Sequence, residues 1–127
     1  MDNADHIGRA FAQHYYSTFS ANRPNLSPLY SDFSCMTFEG QPTLGTQSIM
    51  KKLESLPFKC VQHSVTTCDS QFVYGVDEGR AVVVTVMGRL QTDDDPPKDF
   101  IQTFFLRAVN DSYMISNETF RLVLHNQ

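Results

Sequence analysis

The hydrophobic pattern of this 127-residue chain changes period at Pro57. Before it, Ile7, Phe11, Tyr15 and Phe19 recur every four residues, with Ala10 and His14 beside them on nearly the same face. That spacing predicts a helix over Asp2 to Ser20, capped by Asp2 or Asn3. Asn22-Arg23-Pro24-Asn25 ends it, because proline lacks the N–H donor and disfavours helix in the residue before it. A short helical turn follows through Leu26, Leu29 and Tyr30. Phe33 to Glu39 reads as a strand, with Ser34, Met36 and Phe38 on one side and Cys35, Thr37 and Glu39 on the other. Glu39-Gly40-Gln41-Pro42 turns the chain. Gly45-Thr46 opens a second helix whose stripe is Ile49, Leu53 and Leu56, stopped by Pro57.

After Pro57 the chain turns to Val, Thr and aromatic residues, which suit a pleated, half-buried surface. Four strands are predicted: Phe58 to Ser70, Arg80 to Gln91, Phe100 to Val109 and Tyr113 to Leu124. Glycines and acidic residues between Tyr74 and Gly79, then Asp93-Asp94-Asp95-Pro96-Pro97, then Asn110-Asp111-Ser112 supply the turns. Short loops between long strands require antiparallel hairpins, since a parallel return needs a long crossover. Helices first and strands afterwards is the α+β pattern. The expected architecture is a single domain over residues 1–127: a strongly bent antiparallel sheet with the N-terminal helices on its concave face, forming a cone with an apolar interior.

Both faces of the third long strand are apolar. Phe100, Gln102, Phe104 and Leu106 share one parity; Ile101, Thr103, Phe105 and Arg107 share the other. One face packs on the helices, and the second is expected to meet another copy of the chain in a homodimer. The competing expectation is a monomer with apolar groups scattered on its surface.

Composition removes other classes. A net charge of −4 without a Lys/Arg cluster leaves nothing to neutralise phosphates, so nucleic-acid binding is not expected. The longest apolar run, Ala81 to Met87, is far shorter than the ~20 residues of a membrane helix. The acidic opening Met1 to His6 lacks the apolar stretch of a signal peptide. Three cysteines with no C-x-x-C pair argue against a disulfide framework or zinc, and so for a reducing compartment.

Three clusters could carry chemistry. Phe38-Glu39 ends a strand; taken alone, Phe38 is a core residue and Glu39 a solvated turn residue. Asp93, Asp94 and Asp95 repel one another and call for a cation or a basic partner, unless they only keep a hairpin tip soluble. Calcium fits poorly, because the alternating oxygen ligands, glycine and distal glutamate of an EF-hand do not follow, and no metal is expected. Of His6, His14, His63 and His125, His63 shares strand parity with Val61 and Val65 and faces an apolar region. Its ordinary role is that of a neutral structural histidine, the alternative being proton transfer inside the cavity. Serine-nucleophile, phosphate-loop and metalloprotease motifs are absent.

Six segments in register carry a resemblance: Gln13-His14-Tyr15-Tyr16, Phe38-Glu39-Gly40-Gln41, Leu56-Pro57-Phe58, Gln62-His63-Ser64, Asp93-Asp94-Asp95-Pro96 and Phe120 through Asn126. Along almost its whole length the chain resembles the nuclear transport factor 2 family. The resemblance implies a homodimeric α+β cone that carries the GDP form of the small GTPase Ran through nuclear pores, with no enzymatic activity and no cofactor. It places such a protein in cytoplasm and nucleus, at the pore complex. It implies that an aromatic side chain of the GTPase enters an apolar mouth formed by Phe38, Leu56, Val61 and Phe120, with His63 close by, while Glu39, Asp93 and Asp95 form an acidic rim.

Two departures stand out. Phe38 occupies a position where the family often has tryptophan. Ala4 replaces a first-helix tryptophan that takes part in binding the FxFG repeats of nucleoporins, and the chain ends Asn126-Gln127 where relatives carry an aromatic, so weaker repeat binding is expected. Two other functions compete: a small cavity enzyme (isomerase or dehydratase), and a subunit of a messenger RNA export heterodimer. The export relatives lack the acidic rim that Glu39 and Asp93 to Asp95 retain. An enzyme needs an acid or base deep in the cone, and a cavity empty of polar groups other than His63 would favour the adaptor.

Overall fold

The computed structural model describes residues 3–124. Asp2 and His125 to Gln127, which enter the capping and resemblance arguments, lie outside that range. Helix α1 (Asn3–Ala21) buries Phe11, Tyr15 and Phe19 as the spacing predicts. Ala10 and His14 are exposed, and Gly8, Ala12 and Tyr16 fill the face instead. A four-residue step overshoots the 3.6-residue turn, so the buried stripe drifts to one side of the strict repeat. Ala4 is completely buried. A 3₁₀ segment (Arg23–Leu29) follows, with Leu26 in the core.

Strand β1 (Cys35–Phe38) leads into β2 (Gln41–Leu44), which sequence reading took for a turn and loop. Only Glu39 and Gly40 turn the chain, with φ of 52° and 85°. Positive φ at both central residues is what a two-residue type I′ hairpin demands. Pro42 weighed against a strand there; it is tolerated because β2 is the outer edge of the sheet. Helix α2 (Thr46–Glu54) buries Ile49, Met50 and Leu53. It stops short of Pro57, leaving Leu56 in the segment beyond it. The long strands are β3 (Val61–Phe72), β4 (Val82–Thr92), β5 (Lys98–Val109) and β6 (Ser112–Leu122).

The six strands form one curled, unclosed sheet in the order β2-β1-β6-β5-β4-β3. It is mixed rather than wholly antiparallel, because β1 pairs in parallel with β6. Two bulges shape it. One lies between Val65 and Thr67 in β3, the other at Ser116 in β6, opposite Phe105 and Leu106. Each inserts an extra residue, bends the strand and reverses side-chain parity beyond it. Ser116 Oγ donates to the Phe105 carbonyl at 3.2 Å, satisfying the group that the bulge displaces.

The inner face carries Phe100, Gln102, Phe104 and Leu106, all buried. Helix α1 packs on it through Phe11 and Tyr15, whose rings lie 5.1 and 4.8 Å from that of Phe104, both edge-on. On the outer face Met87 is 48% and Ile101 37% exposed, with Val83, Thr103 and Phe105 partly exposed around them.

Candidate functional site

Parallel pairing places Phe38 of β1 opposite Phe120 of β6. Their rings stack 4.7 Å apart at 12°, and Phe100 continues the stack 5.8 Å from Phe120. Phe38 and Phe120 of this stack bound a cavity of about 210 Å³. Tyr15 and Phe19 of α1 form another side, and Leu53, Leu56 and Phe58 close it from the α2 end. Arg23 holds that closing segment: its guanidinium donates to the Leu53 and Phe58 carbonyls and lies 4.7 Å from the Phe58 ring centroid. A larger groove of about 350 Å³ runs between α1 and β3 along Arg9, Gln13, Ser17 and Val65, but it is more open and lacks the ring-lined box.

Glu39 lies at the mouth with one carboxylate oxygen fixed. Its Oε1 accepts the Leu122 N–H at 2.7 Å. The second oxygen has no hydrogen-bond partner among the described residues. Lys52 Nζ sits 5.5 Å from the Phe38 centroid, and Lys98 also lines the cavity, so the rim carries cations as well as acids. One member of the aspartate cluster also has partners within the protein. Asp93, at φ 51°, accepts the backbone N–H groups of Lys59 and Cys60 at 3.1 and 3.0 Å through Oδ1. The backbone thus supplies a stabilising partner to the first aspartate, which closes the loop against the start of β3. Asp94 and Asp95 are exposed.

His63 is half-buried among rings, 4.6 Å from Tyr16 and 5.2 Å from Phe19, centroid to centroid. Burial lowers its pKa to about 4, so the imidazole is neutral at pH 7. Its Nδ1 is buried with no hydrogen-bond partner among the described residues.

The cavity floor overturns one expectation, for it is polar beyond His63. Glu118 is 3% exposed and lines the cavity together with Gln102 and Tyr15. Its Oε1 accepts Tyr30 Oη at 2.6 Å; its Oε2 accepts Tyr15 Oη at 3.0 Å and Gln102 Nε2 at 2.6 Å. Tyr16 Oη donates to Gln102 Oε1 at 2.8 Å. Burial raises the Glu118 pKa, while the three donors pull it back. Sequence reading missed this residue for a definite reason. Unbroken alternation from Ile115 puts position 118 on the outer face, and the Ser116 bulge turns it inward. The available signal was a carboxylate within a strand that carries Ile115 and Phe120 close by.

Of the eight residues singled out in the sequence, Phe38, Glu39, Leu56, Val61, His63 and Phe120 line this one cavity. Asp93 and Asp95 do not; they occupy the β4–β5 loop beside it.

Residues 7–122 match the nuclear transport factor 2 domain. The chain belongs to the nuclear transport factor 2 family. Within that family it is 44% identical over 127 residues to the probable nuclear transport factor 2 of Caenorhabditis elegans, covering 94% of this chain and 92% of the relative. It is 43% identical over 121 residues to nuclear transport factor 2 of Oryza sativa subsp. japonica, covering 94% and 97%. The solved structure of nuclear transport factor 2 from Cryptosporidium parvum superposes with a TM-score of 0.88 at 39% identity, over 95% of each chain. The fold extends further than the family. A putative scytalone dehydratase from Novosphingobium aromaticivorans shares it with a TM-score of 0.73 at 14% identity, over 94% of this chain and 83% of the other.

Proposed function

We propose that this protein is a nuclear transport adaptor which binds Ran in its GDP form and carries it through nuclear pores by way of FxFG-repeat nucleoporins. The carrying observation is the mouth itself: an aromatic-walled cavity lined also by a carboxylate, Glu39, held by one oxygen and without a partner for the other among the described residues. An apolar socket for a buried anchor, flanked by charge, is the arrangement of a protein-binding hot spot. Phe38, Leu56, Val61 and Phe120 receive the aromatic anchor with His63 beside them, while Glu39, Asp93 and Asp95 face basic side chains that also steer the encounter. The close relatives carry the name of transport factors, which supports an adaptor over an enzyme. Glu118 in the cavity counts toward the enzyme by the criterion drawn from the sequence; against it, both its oxygens are engaged by donors of the protein, and the relatives' names weigh for the adaptor. The working locations are cytoplasm and nucleus, at the pore complex.

The same reading makes the protein a homodimer. Its outer sheet face, centred on Ile101 and Met87, is apolar and uncovered by the described residues. Sedimentation at low micromolar concentration should give a species of twice the 14.4 kDa chain mass. A monomer would reject the dimer. Repeat binding is the weaker element, because Ala4 is buried and offers no exposed ring, and Phe11 and Tyr15 are core residues. An FxFG fragment that fails to bind at millimolar concentration would reject that part alone.

Calorimetric titration with Ran in each nucleotide form tests the main claim. Binding to the GDP form only, lost in Glu39→Lys, is the expected outcome. Absence of binding to either form would return the cavity-enzyme and export-heterodimer readings to the front.

A further inference from the structure

The segment that closes the mouth has no regular structure of its own. Residues 55–60 run between the end of α2 and the start of β3, and two of them, Leu56 and Phe58, line the cavity. Pro57 between them has no N–H to give. Two side chains from elsewhere in the chain tether this segment. Asp93 accepts the N–H groups of Lys59 and Cys60 at its far end. Arg23 serves the carbonyl side: Nη1 donates to the Leu53 carbonyl, in the last turn of α2, at 3.2 Å, and Nη2 donates to the Phe58 carbonyl at 3.0 Å.

The same guanidinium lies against two rings of the cavity wall. Its Cζ is 4.7 Å from the Phe58 centroid and 5.7 Å from that of Phe19. Those two rings stack on each other at 6.4 Å and 27°. Both line the cavity, whereas Arg23 itself does not. Arg23 forms no ion pair among the described residues, so its donors serve the course of the chain rather than an acid. A planar fork holds two carbonyls from different segments while it lies on a ring; the ammonium of lysine, a point charge on a flexible stem, does not reproduce that arrangement.

We propose that Arg23 is a positioning residue for partner binding: it ties α2 to the Phe58 carbonyl and so holds Leu56 and Phe58 where an incoming anchor meets them. The inference rests on the adaptor reading of the mouth and adds to it a residue that acts through the wall rather than in it. Without the clamp the segment samples geometries that do not fit, and apparent affinity falls by the fraction of time spent in the competent one.

Calorimetric titration of Ran-GDP compares the full wild-type chain with Arg23→Lys, at a temperature where thermal unfolding shows both folded. Arg23→Lys keeps the charge and loses the fork. It should bind about tenfold more weakly, as for a competent fraction of roughly one tenth. Its amide NMR spectrum without partner should move at Leu56 and Phe58, while Met87 and Ile101 on the outer face keep their positions. A residue with a structural role alone would lower the unfolding temperature and leave the affinity of the folded protein unchanged, and that outcome overturns the proposal. If Arg23→Lys does not fold, the wild-type spectrum decides: a clamped guanidinium gives separate Nη1 and Nη2 signals, and a single averaged signal overturns the clamp. Failure of the wild type to bind Ran-GDP overturns the adaptor reading and this inference with it. Wild-type binding matched by Arg23→Lys overturns this inference alone.

Discussion

Glu39 completes with its side chain a ladder that its backbone abandons. Its N–H donates to the Phe120 carbonyl at 3.0 Å, continuing the parallel β1–β6 pairing, and its carboxylate then accepts the Leu122 N–H at 2.7 Å. The chain turns away at Gly40, so the carboxylate stands where the next carbonyl of β1 would have been. One residue therefore serves the fold with one oxygen and the mouth with the other.

Glu39→Gln keeps an acceptor for Leu122 and removes the charge. It should unfold in urea within about 0.5 kcal/mol of the wild type, whereas Glu39→Ala should lose about 1.5 kcal/mol, the worth of a hydrogen bond to a charged acceptor. Weakened Ran-GDP binding by Glu39→Gln at unchanged stability would separate the two roles. Charge reversal in Glu39→Lys should cost about 2–5 kcal/mol of binding, and part of any stability loss there comes from the Leu122 bond.

His63 should make stability depend on pH in the acid range. Its folded pKa of about 4 lies below the ordinary 6.5, so between those values the unfolded chain binds a proton that the folded chain refuses. The stabilisation is complete above pH 6.5 and is lost as pH falls through 4, with a full size on the order of 3 kcal/mol. Urea titrations of wild type and His63→Gln from pH 7 to pH 4 should converge by that slope. Parallel curves would refute the buried neutral imidazole.

Glu118→Leu leaves the Gln102 N–H and one of two tyrosine hydroxyl protons without an acceptor, because Tyr15 and Tyr30 then have only their mutual bond at 3.2 Å. At roughly 1–3 kcal/mol per stranded group, it should cost about 4 kcal/mol, while Glu118→Gln, which keeps an acceptor, should cost less than half of that. Thermal unfolding of the two variants gives the comparison. Equal losses would mean that packing, not the donor set, explains the residue.

Gly88 sits where β3 presses on β4: a Cβ there would collide with the Ser64 carbonyl, which as backbone cannot swing aside. Gly88→Ala should therefore cost about 3 kcal/mol, at the upper end of overpacking. Gly8→Ala meets the Ser70 side chain under α1, and the better helix propensity of alanine offsets about 1 kcal/mol of that clash, so its loss should be smaller. Chemical denaturation of both variants checks the order.

Much of this was legible from residue types. The α1 stripe from Phe11 to Phe19, the α2 stripe of Ile49 and Leu53, and the two apolar faces of β5 follow from period alone, because a side chain's direction is set by local backbone geometry. Strand ends differ from expectation by a few residues. The β2 strand was not legible, since Gln41-Pro42-Thr43-Leu44 has no run of strand-forming apolar residues and its extended form comes with its pairing to β1. Leu56 reaches the cavity from beyond α2 rather than on it.

The site divides in the same way. Phe38, Glu39 and His63 could be picked out as an aromatic, an acid and a titratable ring at strand ends and faces. That Phe120 stacks on Phe38 needed the parallel β1–β6 register, a contact between residues far apart in the chain. That Glu118 forms the floor needed the bulge at Ser116, where one unpaired residue reverses every side chain after it. The sequence by itself determined which segments coil or extend and which faces shed water, because those depend on neighbours within one turn or one pleat. Only the tertiary structure decided which strands lie side by side, where they bulge and which carboxylate ends in the cavity, because register is set by the whole sheet closing on its core.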